Sequence, residues 1–424
     1  MLRANKVHIL FLTDNFPPEN NAPANRTFDH AKEWVSNGHK VTVITCVPNF
    51  PAGKVYKGYK NKIYQTEQMS GIRVIRVWTF ISANSGFLLR ICDFISFMVS
   101  SFFAGIFVRK VDVIVGTSPQ FFTACAAFLL GLIRRRPYIF ELRDLWPDSL
   151  KAVGVLRNRY ILIILESLEL FLYRKALKIV CVTQSFRDNL VGRGIESGKI
   201  HVVKNGVDNS RFYPRKKDQK LLSSLNLDGK FVIGYIGTHG MAHGLETILQ
   251  SAKLLQKTEL NDQVRFLFVG SGSEKNYLIN LSKRLNLKNI VFLDSVSRIE
   301  MPRYLSLVDV SIIHLKKTDL FKTVIPSKLF ECMAMGIPVL HGVEGESSDI
   351  VKKYMVGMLF SQGDETSLTL EIQKIYRDQS LLSEFKGNAI KASRHFDRKM
   401  MAEKMLSVFV ETGVKINSRF HRGL

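Results

Sequence analysis

Acidic residues are few: 37 Asp and Glu stand against 60 Lys and Arg, a formal charge of +23 over 424 residues. An imbalance of that size implies a polyanionic partner. Cysteine is scarce as well. The five (Cys46, Cys92, Cys125, Cys181, Cys332) are odd in number, scattered and embedded in apolar runs. That pattern excludes a disulfide framework and a zinc site and reads as reduced core thiols of a cytosolic protein. No uninterrupted apolar run reaches the roughly 20 residues of a spanning helix. The longest, 94–108, has fifteen. Only Leu2 to Lys6 precede the strand-length run 7–12, without a small-residue cleavage site, so no secretory signal is evident. Neither G-x-x-x-x-G-K-S/T, a complete G-x-G-x-x-G nor G-x-S-x-G occurs, which argues against a P-loop, a dinucleotide site and a hydrolase elbow.

What is present alternates. Strand-like apolar runs fall at 7–12, 41–46, 74–77, 113–115, 138–141 and 179–183, with helical patterns between them. A second alternation places strands at 232–236, 264–269, 290–293, 310–314 and 338–340. Between the two, Lys204-Asn205-Gly206-Val207-Asp208 is a turn signal, followed by a polar stretch to Lys220. The length exceeds one usual core. The expectation is α/β, with doubly wound Rossmann-like domains at 1–205 and 206–390 and a helical segment 391–424 packing back toward the first.

Basic residues cluster at Arg134-Arg135-Arg136, Arg157 with Arg159, Arg174-Lys175 with Lys178, Arg215-Lys216-Lys217, and Arg419 with Arg422. No RNP-like aromatic motif, finger or helix-turn-helix accompanies them, so nucleic acid is not the expected partner. An anionic membrane surface fits better, because the apolar segment 87–108 is flanked by Arg109-Lys110 and carries Phe102, Phe103 and Phe107. It is too short to span and is expected to lie in the interface. A helix buried against a parallel sheet is the alternative.

The richest stretch is 310–340: an apolar strand, a polar loop, a helix opened by Pro326-Ser327-Lys328, then Gly336 and another strand. A helix N-terminus of this kind suits a phosphate, and Lys328 adds a full charge. Glu331, one turn on, can accept hydrogen bonds from a sugar diol. Phosphate beside ribose implies a nucleotide donor. Glycine-rich loops, Gly237-Thr238-His239-Gly240 with His243-Gly244, and Gly270-Ser271-Gly272, follow the first two strands of the second domain and let backbone approach a ligand. No D-x-D pair occurs, so catalysis without a metal or cofactor is expected.

Taken in order, these pieces resemble the retaining glycosyltransferases of GT-B architecture, two Rossmann-like domains facing across a cleft. The N-terminal matches are Phe16-Pro17-Pro18-Glu19, Gly38-His39-Lys40-Val41-Thr42-Val43 and Asn205-Gly206-Val207-Asp208 with Phe212 and Pro214. The most specific match is Pro326-Ser327-Lys328-Leu329-Phe330-Glu331 through Gly336-Ile337-Pro338-Val339. Arg143-Asp144-Leu145-Trp146-Pro147-Asp148 and His243-Gly244-Leu245-Glu246-Thr247 look more narrowly like bacterial surface-polysaccharide transferases such as those of N-acetyl-L-fucosamine.

The resemblance implies a nucleotide-sugar donor, UDP-linked and carrying an N-acetylated deoxy-amino sugar. It implies a polyprenyl-diphosphate-linked acceptor and peripheral attachment to the anionic cytoplasmic face of the inner membrane, serving O-antigen or capsule synthesis. Lys328 would stabilise the departing diphosphate, Glu331 the ribose, and Asp144 the acceptor hydroxyl, these three forming the catalytic set. Donor contacts are expected from Gly237, Thr238, His243, Gly270 and Gly272, from Val296 and Ser297 at the base, and from Thr323, Val324, Ile325, Pro326, Ser327 and Leu329. Asn15, Arg26 and Arg143 join Asp144 on the acceptor side. The sequence departs from the family where two glutamates normally stand eight positions apart: Thr323 takes the place of the first. Thr238, His239 and His243 stand where an Arg and a Lys usually grip the diphosphate. A GT-B nucleotide-sugar epimerase and a membrane-associated scaffold without catalysis are the alternatives.

Overall fold

Runs of β-branched and aromatic residues without polar alternation fold as strands buried on both faces. The computed structural model describes residues 6–50, 53–81, 87–152 and 158–421, the side chains at 87, 88, 150, 152 and 414–421 excepted. Arg157 and Arg422 lie outside the described residues, as does the side chain of Arg419. The chain divides into two compact units, Met1–Lys204 with Arg398–Leu424, and Asn205–Asp397.

In the first unit β1 (His8–Leu12), β2 (Lys40–Cys46), β3 (Tyr64–Met69), β4 (Ile72–Val77), β5 (Val113–Thr117), β6 (Tyr138–Leu142), β7 (Lys178–Cys181) and β8 (Ile200–Val202) form one sheet in the order β3-β4-β2-β1-β5-β6-β7-β8. All neighbours are parallel except β3, which folds back on β4. Its sequence, YQTEQM, has no apolar run and half of it is exposed, so no periodic signal marks it. The expected strand at 179–183 stops at Cys181, because Thr183 turns to cap the next helix by accepting from the Phe186 amide.

Four helices position the surfaces of this unit: α1 (Ala22–Ser36), α2 (Phe87–Ile106), α3 (Phe121–Arg134) and α4 (Arg159–Lys175). The crossovers β4-α2-β5, β5-α3-β6 and β6-α4-β7 run the same way across the sheet, so by their right-handedness these helices share a face and α1 lies on the other. Trp34 of α1 donates its indole N–H to the Ala402 carbonyl at 2.9 Å and packs edge-on against Phe409, fixing the final helix of the chain in this unit. Residues 391–397, expected with that helix, instead close the second unit, where Ala392 and Phe396 are core.

The second unit contains β9 (Phe231–Ile236), β10 (Val264–Val269), β11 (Ile290–Leu293), β12 (Val310–His314), β13 (Val339–Gly342) and β14 (Gly357–Leu359), all parallel, in the order β11-β10-β9-β12-β13-β14. Numbered within the unit this is the 3-2-1-4-5-6 order of the Rossmann fold, with its switch point between β9 and β12. Two apolar cores cover the sheet, one on each face. The helix after β12, α5 (Lys328–Met335), is closed by Gly336 at φ 66°, the left-handed C-cap that glycine adopts without a Cβ penalty.

Candidate functional site

Where a strand order reverses, the loops leaving two neighbouring strands part to opposite faces and leave a crevice at their carboxyl ends. In the second unit that crevice lies between the loop after β9 and the N-terminus of α5. β9 and β12 share only the pairs Val310↔Ile233 and Ser311↔Gly234 before they diverge. Lys328 opens α5, and its Nζ lies 3.8 Å from the centroid of the Tyr235 ring. It is buried with no hydrogen-bond partner. Burial lowers the ammonium pKa to about 8, against the raising influence of Cys332 and Glu331. An unpaired ammonium out of water is costly. The group is poised for an anion, and Glu331 stands three residues on, on the same side of the helix.

The loop after β9 is held by its own backbone. The Tyr235 hydroxyl donates to the Thr238 carbonyl at 2.8 Å, the His239 amide to Ser271, and the Glu274 amide to the His239 carbonyl. The turn Met241–His243 is tied to β12 by His314, whose Nδ1 meets the His243 carbonyl at 2.8 Å. Since the Gly363 amide donates to Nε2, His314 is neutral with its proton on Nδ1. That leaves His243 with a buried Nδ1 and no partner, and His239 with both ring nitrogens buried and unpartnered. Burial, then the Lys328 charge, lowers the His243 pKa to about 3; burial, then Lys275 and Lys328, lowers His239 to about 4. Lys328 and His243 thus bring an orphan ammonium nitrogen and a neutral imidazole to the crevice, while His239 lies fully buried against Phe268 and Phe292.

Several expectations are corrected here. Gly270 and Gly272 do not keep space for a ligand: a Cβ at Gly270 would overlap the Gly237 carbonyl and one at Gly272 the His239 backbone, so the β9 loop itself demands them. Gly237 does face the crevice, where a Cβ would stand 2.9 Å from Lys328 Nζ. Ile325 and Leu329 turn their side chains into the core, which leaves only their backbone to meet a ligand. Thr323 ends a 3-10 turn and donates to the Leu320 carbonyl at 2.6 Å, next to the extended Val324. Pro326 and Ser327 supply the carbonyls that begin α5, and the Ser327 side chain makes no cap bond. Val296 and Ser297 follow β11, two strands from the switch point; Val296 leans on the core and Ser297 begins the next turn. The sequence marks His239 only as part of the glycine-rich loop, without a role, and does not mark His314, which sits in no motif with metal or catalytic spacing. Among the described residues no group of three or more His, Cys, Asp or Glu could hold a metal ion.

In the first unit the carboxyl edge carries the other set. The Ser118 hydroxyl accepts from the amides of Arg143 and Asp144, fixing the loop after β6. Asp144 is not paired with Arg143, whose guanidinium donates to the Pro23 carbonyl at 3.2 Å. Burial raises the Asp144 carboxyl to about 6, opposed by a hydrogen bond from Ser149. Asn15 accepts from Asn21, which caps α1. Arg26 is not an acceptor contact: it is buried, with Nε on Glu141 at 3.0 Å and its terminal nitrogens on the Lys204 and Val203 carbonyls. Of the cysteines, Cys92 is exposed rather than core.

Two Rossmann-like units in series, the second with an unpartnered ammonium at its switch point, are the elements of the GT-B architecture. Residues 217–392 match the model for glycosyl transferases group 1, and residues 24–211 that for glycosyltransferase family 4. The chain is a group 1 glycosyltransferase of GT-B architecture. It is similar to WcaI of Escherichia coli, a glycosyl transferase provisionally assigned to colanic acid biosynthesis, with 25% identity over 336 residues, 77% of this chain and 81% of that one. It is also 23% identical over 293 residues to the capsular polysaccharide biosynthesis glycosyltransferase CapM of Staphylococcus aureus, 66% of this chain and 72% of CapM. Sucrose-phosphate synthase from Thermosynechococcus elongatus superposes with a TM-score of 0.72 at 15% identity, covering 96% of this chain and 99% of its own. Anabaena HepE, solved with UDP-glucose, does so at 0.72 and 19%, covering 95% and 99%.

Because Lys328 is half deprotonated near its pKa of about 8, an anion entering the crevice draws a proton onto it. UDP binding at pH 8 is expected to take up protons, seen as a calorimetric heat that varies with buffer ionisation enthalpy. A buffer-independent heat at pH 8, with binding intact, contradicts the placement of the diphosphate at Lys328.

Proposed function

We propose that this glycosyltransferase moves a sugar from a UDP-linked donor to a saccharide carried on a polyprenyl diphosphate, with retention of anomeric configuration, in bacterial surface-polysaccharide synthesis. The observation that carries the reading is the buried, unpartnered Lys328 ammonium at the switch point. The relatives named for colanic acid and capsule synthesis, and the UDP-glucose complex of a protein with this fold, support it. The bond from the anomeric carbon to the diphosphate oxygen breaks with its electron pair leaving on the diphosphate, and Lys328 gains strength as that charge grows. The acceptor oxygen bonds to the face that the diphosphate leaves, and its proton passes to the departing oxygen. Glu331 holds the ribose, His243 hydrogen-bonds the diphosphate, and Asp144 hydrogen-bonds the acceptor hydroxyl. The N-acetylated deoxy-amino sugar remains the proposed donor class, and the cytoplasmic face of the inner membrane the proposed location.

Membrane fractions supplying lipid-linked acceptors, incubated with labelled UDP-sugars, test the reading. Transfer with the donor's anomeric configuration, read by NMR of the released glycan, is the expected result; inversion, or epimer accumulating without transfer, contradicts it. No carboxylate pair of the D-x-D type is present and the positive groups come from the chain itself, so turnover is expected to survive EDTA. Loss of turnover restored by Mg²⁺ or Mn²⁺ overturns the metal-free part.

A further inference from the structure

Three neighbouring helices of the first unit turn large apolar side chains outward. On α2 these are Ile95, Val99 and Phe103 at four-residue steps, continued by Phe107; on α3, Leu132 and Ile133; on α4, Tyr160, Ile161, Ile163 and Ile164. The helices lie side by side: Leu130 of α3 fills the space over Gly105 of α2, and Phe128 of α3 meets Phe171 of α4 edge-on at 5.4 Å. Single exposed apolar residues are ordinary on a soluble protein, whereas several on each of three packed helices mark a surface that something covers. Phe107 is 76% exposed and Tyr160 79%.

The charge on this face identifies the cover. The three helices run in one direction, and their C-terminal ends carry Arg109 and Lys110, Arg135, and Arg174 and Lys175, all exposed. The acidic residues of the same helices are already engaged: Asp93 by Thr79, Glu166 and Glu169 by Arg193. A second copy of the chain would bring cations against cations in a molecule of formal charge +23. Anionic headgroups neutralise them while acyl chains take the apolar rows.

We propose that the α2–α3–α4 face is where the first unit docks on an anionic bilayer, with the exposed opening turns of α4 entering it. This rests on the reading that the acceptor is lipid-borne and adds the surface that reaches it. The window Leu89–Ile106 is long and apolar enough to cross a membrane by length and composition. However, Phe97, Ser101 and Ala104 are buried, and Thr79 hydrogen-bonds Asp93 and Ser96, so α2 lies along the surface rather than through it. The first turns of α4 stand at the carboxyl edge of the sheet, the edge that also carries Asp144.

Flotation of the full chain with vesicles of phosphatidylglycerol and phosphatidylcholine, against phosphatidylcholine alone, tests this. Binding is expected only with the anionic lipid and weakens with salt, since the Debye length is about 8 Å at physiological ionic strength. Tyr160→Ser with Ile164→Ser, and separately Phe103→Ser with Phe107→Ser, should each lower partitioning by about tenfold or more. Arg109→Glu with Arg174→Glu, which touches no core residue, should do the same by charge. UDP calorimetry reports the donor crevice independently: a wild type that floats with anionic vesicles but binds no UDP would sink the donor reading and leave the docking surface standing. Unchanged vesicle affinity in all three variants overturns the surface. So does sedimentation showing a dimer that the Tyr160/Ile164 variant dissolves, because a second copy then covers the face.

Discussion

Lys328→Ala is expected to lower kcat by about a hundred- to a thousandfold, the cost of about 2.7–4 kcal/mol seen when a single preorganised donor to a developing oxyanion is removed. The size follows from where the group sits. Its Nζ is buried over the Tyr235 ring and bonds to nothing in the chain, so its electrostatic work is done on whatever anion enters. The substitution should not weaken the fold. In the ligand-free protein the ammonium is held at a pKa of about 8, below its ordinary 10.5, by burial. Between those values the unfolded chain binds more protons than the folded one, so this group makes stability rise with pH across that window. Lys328→Ala should lose that rise while showing no loss of stability near neutrality, measured by urea unfolding at pH 7, 8 and 9. A variant that unfolds at neutral pH, or one that keeps its turnover, contradicts the assignment.

Glu331→Ala is expected to behave in the opposite kinetic sense. A carboxylate holding ribose hydroxyls binds ground state and transition state alike, so its removal raises KM and donor Kd with kcat nearly unchanged. Charge-assisted hydrogen bonds of this kind contribute about 1.5–3 kcal/mol, a weakening of roughly ten- to over a hundredfold. Its place three residues after Lys328 on one helix makes the pair a matched control, since both changes sit on the same turn. An unchanged KM with a collapsed kcat assigns Glu331 to the chemical step instead.

The sequence made most of the fold legible because its central strands are continuous apolar runs, and such runs have few other places to go. What it hid is polar or short. β3 is YQTEQM, and β8 and β14 are three residues each, too brief for any periodic signal. The site divided the same way. Lys328 and Glu331 stood out by chemistry and position, and the structure sets Lys328 beside Gly237 at the switch point. Gly270 and Gly272 also stood out, but the need for glycine comes from the β9 loop crossing above them, a tertiary contact no local pattern records. Arg26 carries a charge that reads as exposed, yet folding buries it against Glu141, a partner 115 residues away. His314 is isolated in sequence, and only the placing of β12 beside β9 brings its ring to the His243 carbonyl.

The central claim is that a nucleoside diphosphate binds at the N-terminus of α5. Saturation-transfer NMR of the full chain with UDP and GDP, followed by titration of the wild type, Lys328→Ala and Glu331→Ala, tests it most directly. The account predicts transfer to base and ribose protons of UDP in the wild type, and dissociation constants at least about tenfold weaker in Glu331→Ala. Absence of signal from either nucleotide, or equal affinity in all three proteins, would contradict it.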